Sequence, residues 1–213
     1  TKLTVKGNID TIGSSSFEYT KVKELQVGKG VSSLKGTLYG LDTLEKIEVE
    51  EENESYISEE GVLYNKEKTT LIRYPQSKSD QTEYKVAEGV KTIGENAFWG
   101  NKTITKVELP KSVQNIGDYA FIYCGGLEEI KLSEGLETIG NYAFAYCNGI
   151  KKADIPDSVK ALGADTFYDC DSLEEVVLGK GLKSLGGSAF RYCEKLTKLT
   201  VKGNIDTIGS SSF

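Results

Sequence analysis

Four cysteines, Cys124, Cys147, Cys170 and Cys193, recur at intervals of 23 residues in a chain of 213 residues that contains no histidine. Thiol, carboxylate and phenol are therefore the groups available for chemistry. Without imidazole, Ser–His and Cys–His nucleophilic pairs are excluded, as are zinc sites that need a histidine ligand. A thiolate zinc site asks for close pairs such as CxxC, and none occurs. One cysteine per period reads instead as a column of buried structural thiols, because free cysteine is among the most buried residue types. Asn101 occupies the same column one period earlier. Disulfides between successive turns fit the spacing of stacked strands, about 4.8 Å, but parallel Cβ vectors and the sulfur-free Asn101 favour reduced thiols. Carboxylates are plentiful, but no pair stands out as a general acid and base. No catalytic residue, cofactor or metal is expected, and the chain reads as a non-enzyme.

The period that spaces the cysteines runs through the chain. The hexapeptides IGENAF at Ile93, IGDYAF at Ile116, IGNYAF at Ile139, LGADTF at Leu162, LGGSAF at Leu185 and IGSSSF at Ile208 follow one another every 23 residues. Upstream of them, ITKVEL, LEEIKL, IKKADI, LEEVVL and LTKLTV end in residues that alternate apolar and polar, as a strand with one buried face does. VKELQV and LEKIEV are earlier copies at steps of 22, and EYKV and the opening LTV complete nine strands. Such a chain is a solenoid: no turn buries its own Phe, and stacked turns make a continuous core. In IGDYAFIYC, Ile116, Ala120, Phe121 and Cys124 lie at offsets of 4, 5 and 8, which predicts a short helical or 3₁₀ segment opposite each strand.

The pattern LxxIxLPxxVxxIGxxAFxxC resembles the BspA-like class of leucine-rich repeats and covers almost the whole chain. The resemblance implies an α/β leucine-rich repeat solenoid over residues 1–213. It would have about nine short parallel strands, helical or 3₁₀ segments on the convex side, regular turns over about 84–213 and irregular ones over 1–56. LKGTLYG at Leu34 lacks the motif. Between Ile47 and Tyr84 the step is about 14 residues too long. There VLY and LIRY flank the polar NKEKTT, which predicts a β-hairpin insertion over about 57–76, as a flap over the core or as a protruding binding element. The family further implies a bacterial cell-surface or secreted location and adhesion to a host or matrix protein or a surface glycan.

Two surfaces are patterned. On the strand face, Lys2, Glu24, Lys46, Glu83, Lys106, Glu129, Lys152, Glu175 and Lys198 alternate in sign from turn to turn. Such a face neutralises itself and fixes register, since a slip of one turn would oppose like charges. On the convex side, Tyr119 and Tyr123 are repeated one turn later by Tyr142 and Tyr146. Tyr192 continues the second column, and Trp99 lies one place from it. Tyrosine and tryptophan are enriched at binding hot spots, so these six form a candidate patch; sealing the seams between turns is the competing role. The net charge of −6 with dispersed lysines offers no nucleic-acid footprint, and no apolar run is long enough to span a membrane.

The seventeen residues TKLTVKGNIDTIGSSSF occur identically at Thr1–Phe17 and Thr197–Phe213, eight turns apart. With no methionine, the chain reads as an excerpt of a longer array that continues covalently, and as a monomer when isolated. Stacking two copies end to end would set Lys198 against Lys2.

Overall fold

The computed structural model describes residues 1–6, 9–34, 36, 38 and 40–213. The remaining residues include Lys35, Thr37 and Tyr39 of the irregular LKGTLYG stretch, whose reading therefore lies outside the described residues. The chain forms two compact units, Thr1–Asp80 and Gln81–Phe213.

In the first unit, β1 (Lys2–Val5), β2 (Glu24–Val27) and β3 (Lys46–Val49) form a parallel sheet in register, Lys2 opposite Glu24 and Glu24 opposite Lys46. Their inward residues, with Ile12, Val31, Leu34 and Leu41, make one apolar cluster. The insertion forms three antiparallel strands, β4 (Tyr56–Glu59), β5 (Val62–Asn65) and β6 (Thr70–Arg73). The hairpin expected between VLY and LIRY is β5 and β6. Strand β4 was not foreseen, because its residues show no clean apolar alternation. Leu63 belongs to the apolar cluster, so the hairpin contributes to the core. The Asn65 carboxamide ties the turn, accepting from the Thr70 N–H at 2.7 Å and donating to the Thr69 hydroxyl at 2.8 Å.

The second unit repeats one turn six times. Its longer strands are β7 (Glu83–Lys85), β9 (Lys106–Glu108), β11 (Glu129–Lys131), β13 (Lys152–Asp154), β15 (Glu175–Leu178) and β17 (Lys198–Val201). They lie in two parallel three-stranded sheets, β7-β9-β11 and β13-β15-β17. Between them run two-residue strands, β8 (Thr92–Ile93), β10 (Asn115–Ile116), β12 (Thr138–Ile139), β14 (Ala161–Leu162), β16 (Ser184–Leu185) and β18 (Thr207–Ile208), paired in parallel down the stack. With the three parallel strands of the first unit, the described residues hold nine solenoid strands.

The second unit buries the motif Phe of its first five turns, Phe98 to Phe190, while Phe213 of the last is 58% exposed. Phe98, Phe121, Phe144, Phe167, Phe190 and Phe213 form a stacked column with centroids 4.6, 5.1, 5.1, 5.4 and 5.7 Å apart. Burying one such ring contributes about 1.5–3 kcal/mol. The motif glycine follows from the same close stacking: a Cβ at Gly186 would lie 2.3 Å from the Gly163 carbonyl carbon, inside van der Waals contact.

The convex segments are not helical, and no helix occurs among the described residues. In a helix each N–H bonds the carbonyl four residues back. Here the Phe98, Phe121, Phe144, Phe167 and Phe190 N–H groups donate instead to the next turn, to Ala120, Ala143, Thr166, Ala189 and Ser212 at 2.7–2.8 Å. A residue with positive φ at every fourth position, Tyr119 (57°) and Tyr123 (61°) for example, turns the peptide planes so that this is possible. Bonds three residues back, such as Ile122 N–H to Tyr119 at 3.2 Å, close the tight turns between them. The expected helical or 3₁₀ segments are therefore runs of tight turns. Their four-residue repeat mimics the spacing of a helix face.

The cysteine column lies at the end of these runs. All four thiols are free and buried. Each donates across one seam: Cys124 Sγ to Phe98 O at 3.0 Å, Cys147 to Phe121 at 3.0 Å, Cys170 to Phe144 at 3.2 Å and Cys193 to Phe167 at 3.0 Å. Asn101 in this column accepts from the Thr103 and Ile104 N–H groups at 3.0 and 2.9 Å. Asn53 plays a similar part in the first unit, donating to Gly28 and Val31 and accepting from Ser55 and Tyr56. Burial pushes the Cys147 and Cys170 thiols well above their usual value. Hydrogen bonding with Cys170 lowers the Cys193 thiol, so any reaction of native protein with a thiol reagent is expected at Cys193 first, and unfolded, unreduced protein should titrate four thiols. Fewer than four would show oxidation.

On the strand face the alternating charges pair across turns. Lys2 reaches Glu48 at 3.6 Å, Lys106 reaches Glu129 at 3.1 Å, and Glu175 takes Lys152 at 3.7 Å and Lys198 at 2.9 Å. In the neighbouring column Glu108 lies between Lys85 and Lys131, at 3.9 and 3.6 Å. Hydrogen bonds from Lys46 and Lys198 lower the Glu48 and Glu175 carboxyls. Partner carboxylates raise Lys46, Lys106 and Lys152. The carboxylate contribution is complete above the usual glutamate value of 4.5 and is lost as the pH falls through the lowered folded values. The lysine contribution is complete below 10.5 and is lost as the pH rises through the raised values. The Cys147 and Cys170 thiols begin to oppose folding above 9.0. The thermal-unfolding midpoint should therefore be flat between about pH 4.5 and 9 and fall on both sides, and added salt should lower the plateau only slightly.

Candidate functional site

Two tyrosine columns stand on the tight-turn side of the second unit. Each turn offers a positive-φ position there, and the first five offer a second. The first column runs Asn96, Tyr119, Tyr142, Asp165, Ser188 and Ser211, the second Gly100, Tyr123, Tyr146, Asp169 and Tyr192. The backbone at these positions suits Gly, Asn and Asp; a bulkier side chain there costs about 1–2 kcal/mol. Tyrosine is thus placed where local preference argues against it.

The rings are held by one another. Tyr119 stacks on Tyr142 with centroids 5.3 Å apart, and Tyr123 stacks on Tyr146 at 4.7 Å. Tyr146 then meets Tyr168 edge-on at 5.6 Å, and Tyr168 meets Tyr192 edge-on at 5.2 Å. The Arg191 guanidinium lies 4.7 Å from the Tyr192 ring centroid, and its Nη2 donates to the Tyr192 hydroxyl at 2.9 Å. The result is a ridge, Tyr123–Tyr146–Tyr168–Tyr192, with the Tyr119–Tyr142 pair beside it. Tyr123 is 47% exposed and Tyr192 49%.

Carboxylates edge the ridge. The Tyr142 hydroxyl donates to Asp165, which holds the phenol proton more tightly than usual. Burial, reinforced by Tyr123, Tyr168 and Asp169, does the same for Tyr146. Desolvation, with Asp171 and Glu194 nearby, raises the Asp169 carboxyl. The ridge therefore joins flat apolar faces to hydroxyl donors and carboxylate acceptors. That combination suits stacking and hydrogen bonding to a neutral polar ligand or an aromatic protein side chain.

Trp99 lies half-buried in a different column, followed by Ile122, Ala145, Tyr168 and Arg191. Two turns without an aromatic residue in that column separate it from Tyr168. Tyr168 itself escaped the sequence reading because it lies one place before the tyrosine column. Its position in the Trp99 column was the available signal.

The repeat pattern of the BspA type leucine rich repeat region matches residues 1–88 and 91–213, in six copies. The chain belongs to the BspA-type leucine-rich repeat family. This BspA-type chain resembles several solved bacterial structures. A leucine-rich repeat protein from Eubacterium ventriosum is 31% identical with a TM-score of 0.87, over 93% of this chain and 54% of that one. The pneumococcal vaccine antigen PcpA is 26% identical with a TM-score of 0.80, over 99% of this chain and 57% of that one. A leucine rich cell surface protein from Faecalibacterium prausnitzii shares the fold, with a TM-score of 0.85 at 24% identity, over 95% of this chain and 60% of that one. The chain thus spans less than two thirds of each. Among curated proteins none is significantly similar in sequence.

Two tyrosines separate backbone strain from ring stacking. Tyr19 in the first unit has φ 60° and is 82% exposed. Tyr19→Asn should raise stability by about 1 kcal/mol in urea unfolding. Tyr123→Asn relieves the same strain but loses a stack of about 0.5–1.5 kcal/mol, so its gain should be smaller or reversed. Equal gains would show that the ridge rings do not hold one another.

Proposed function

We propose that this chain is a binding module of a bacterial surface or secreted repeat protein, and that the ridge formed by Tyr123, Tyr146, Tyr168 and Tyr192, with Tyr119 and Tyr142, engages a protein or glycan. The observation that carries this reading is the stacking of half-buried Tyr119, Tyr142 and Tyr146 and exposed Tyr123 at positive-φ positions, where the same columns accept Asn96 and Gly100 at less cost. A surface location draws support from family membership and from the cell-surface description of the Faecalibacterium relative. A catalytic role has no comparable support: a groove of the second unit, about 660 Å³ and lined by Lys91, Lys111, Gln114, Glu137 and Lys160 among others, is shallow and mixed in charge. No helix of the described residues is long and apolar enough to cross a membrane.

A rigid spacer without its own ligand is the second reading, and the paired charges of the strand face favour it. That face would have to break its ion pairs before binding anything. Glycan and matrix-protein arrays separate the two. The module reading expects a hit that Tyr123→Asn and Tyr146→Asn together weaken at least about tenfold, the equivalent of 1.4 kcal/mol, while circular dichroism stays unchanged. No hit, or a hit indifferent to these substitutions, would leave the spacer.

A further inference from the structure

The ridge changes along its length in both packing and charge. Tyr123 and Tyr146 lie within 18° of parallel, so each covers one face of the other. Among the described residues the Tyr123 ring has no second ring neighbour. On its other side the column continues at Gly100, whose N–H donates to the Ile122 carbonyl at 2.9 Å and which has no side chain to extend the stack. Tyr123 is accordingly 47% exposed, whereas Tyr146, with a ring on either side, is half-buried. Past Tyr146 the rings turn edge-on, at 63° between Tyr146 and Tyr168 and 85° between Tyr168 and Tyr192. A ring that gives its edge keeps its faces. Charge changes over the same distance. Two residues after Gly100 stands exposed Lys102, and two residues after Asp169, three turns on, stands exposed Asp171. Burial, Asp171 and Glu194 all raise the Asp169 carboxyl, and no cation of the described residues offsets them. The Gly100 end therefore repels a cation and the Asp169 end attracts one.

We propose that the ridge binds an extended segment of a partner protein, with an aromatic side chain stacked on Tyr123 over Gly100 and a lysine or arginine four residues away, beside Tyr168, Asp169 and Asp171. The inference rests on the binding role proposed for the ridge and names its partner. The aromatic ring would continue the column at the level where Gly100 stops it, in the parallel manner of Tyr123 on Tyr146. The cation would meet a tyrosine face and a carboxylate together. Arg191 shows the first half of that contact within the chain, with its guanidinium 4.7 Å from the Tyr192 centroid. The spacing follows from the stack. Three turns at about 4.8 Å each span about 14 Å, which an extended chain covers in four residues at about 3.4 Å each. Residues four apart on a strand also point to the same side. Lys102 and Asp171 fix which end takes the cation. A neutral glycan could use the rings but would leave the carboxylates unanswered, so charge complementarity favours the protein segment.

Selection of a phage-displayed library of random linear peptides on the intact, immobilised chain tests this. The recovered peptides should share an aromatic residue and a lysine or arginine four positions apart. In fluorescence anisotropy the strongest of them should bind about fivefold more weakly, or worse, when Asp169→Asn and Asp171→Asn are combined, and added salt should weaken it further. Both substitutions are mild: Asp169 has φ 54°, which asparagine accepts, and Asp171 is exposed. Selection on the Tyr123→Asn chain should lose the aromatic preference. Recovered peptides that depend on Tyr123 but carry no basic residue, a pair at another spacing, or binding indifferent to the two asparagines would overturn the inference and leave the binding role of the ridge standing. So would a glycan hit lost with Tyr123→Asn and Tyr146→Asn when no peptide is enriched. Failure to find a ligand of either kind would overturn both.

Discussion

Each turn of the second unit hands its backbone hydrogen bonds to its neighbours, and this is the constraint on which the rest depends. The strand N–H groups, the two-residue strands and the tight-turn segments all bond along the stack. A turn in isolation would leave these groups unsatisfied, and buried unsatisfied groups are costly. Successive turns must therefore share one backbone outline. The Phe column fills that outline at a fixed spacing, Gly186 and its equivalents permit the close approach, and each thiol closes a seam by bonding the Phe carbonyl of the turn before. Where the outline is kept, side chains vary if they satisfy it. Thr166 and Ser212 replace the motif Ala, and their hydroxyls bond the Gly163 and Gly209 carbonyls at 2.7 and 2.5 Å.

That constraint explains which features could be read from the sequence. The 23-residue step, the strands and the buried cysteine column are periodic in residue type, so they were visible. The tight-turn side was misread as helical because Ile116, Ala120, Phe121 and Cys124 fit both a helix face and consecutive four-residue turns. What separates the two is the destination of the Phe121 N–H, which goes to Ala143 in the next turn, and no local pattern encodes that. Local preference pointed the wrong way as well, since tyrosine is a poor residue for the left-handed region where Tyr119 and Tyr123 lie. Strand β4 and Tyr168 were missed for a simpler reason: both depend on neighbours outside their own repeat position.

The two patterned surfaces differ in what each has left to offer. On the strand face, lysines and carboxylates occupy one another through Glu108 and Glu175, and little net charge remains unanswered. On the ridge, the stacked pairs and the Arg191–Tyr192 contact use part of each ring, while Tyr123 and Tyr192 remain about half exposed. Exposed aromatic area with hydroxyls at its margin is unspent binding capacity in a way that a neutralised ladder is not.

The ridge also inherits the cooperativity of the stack. A tyrosine at φ near 60° is held there by the turn after it, through the Tyr119 N–H to Asn141 and the Tyr123 N–H to Ala145, at 2.9 and 3.0 Å. Its ring is oriented by the ring one turn on. Removing a turn therefore disorders the ridge at that level, even where no ridge residue changes. A ligand that spans several rings would bind the assembled turns more tightly than any one of them, and in doing so would tighten the seams between them. On the proposed binding role, recognition and solenoid stability would draw on one set of inter-turn contacts, reached from opposite sides of the same backbone.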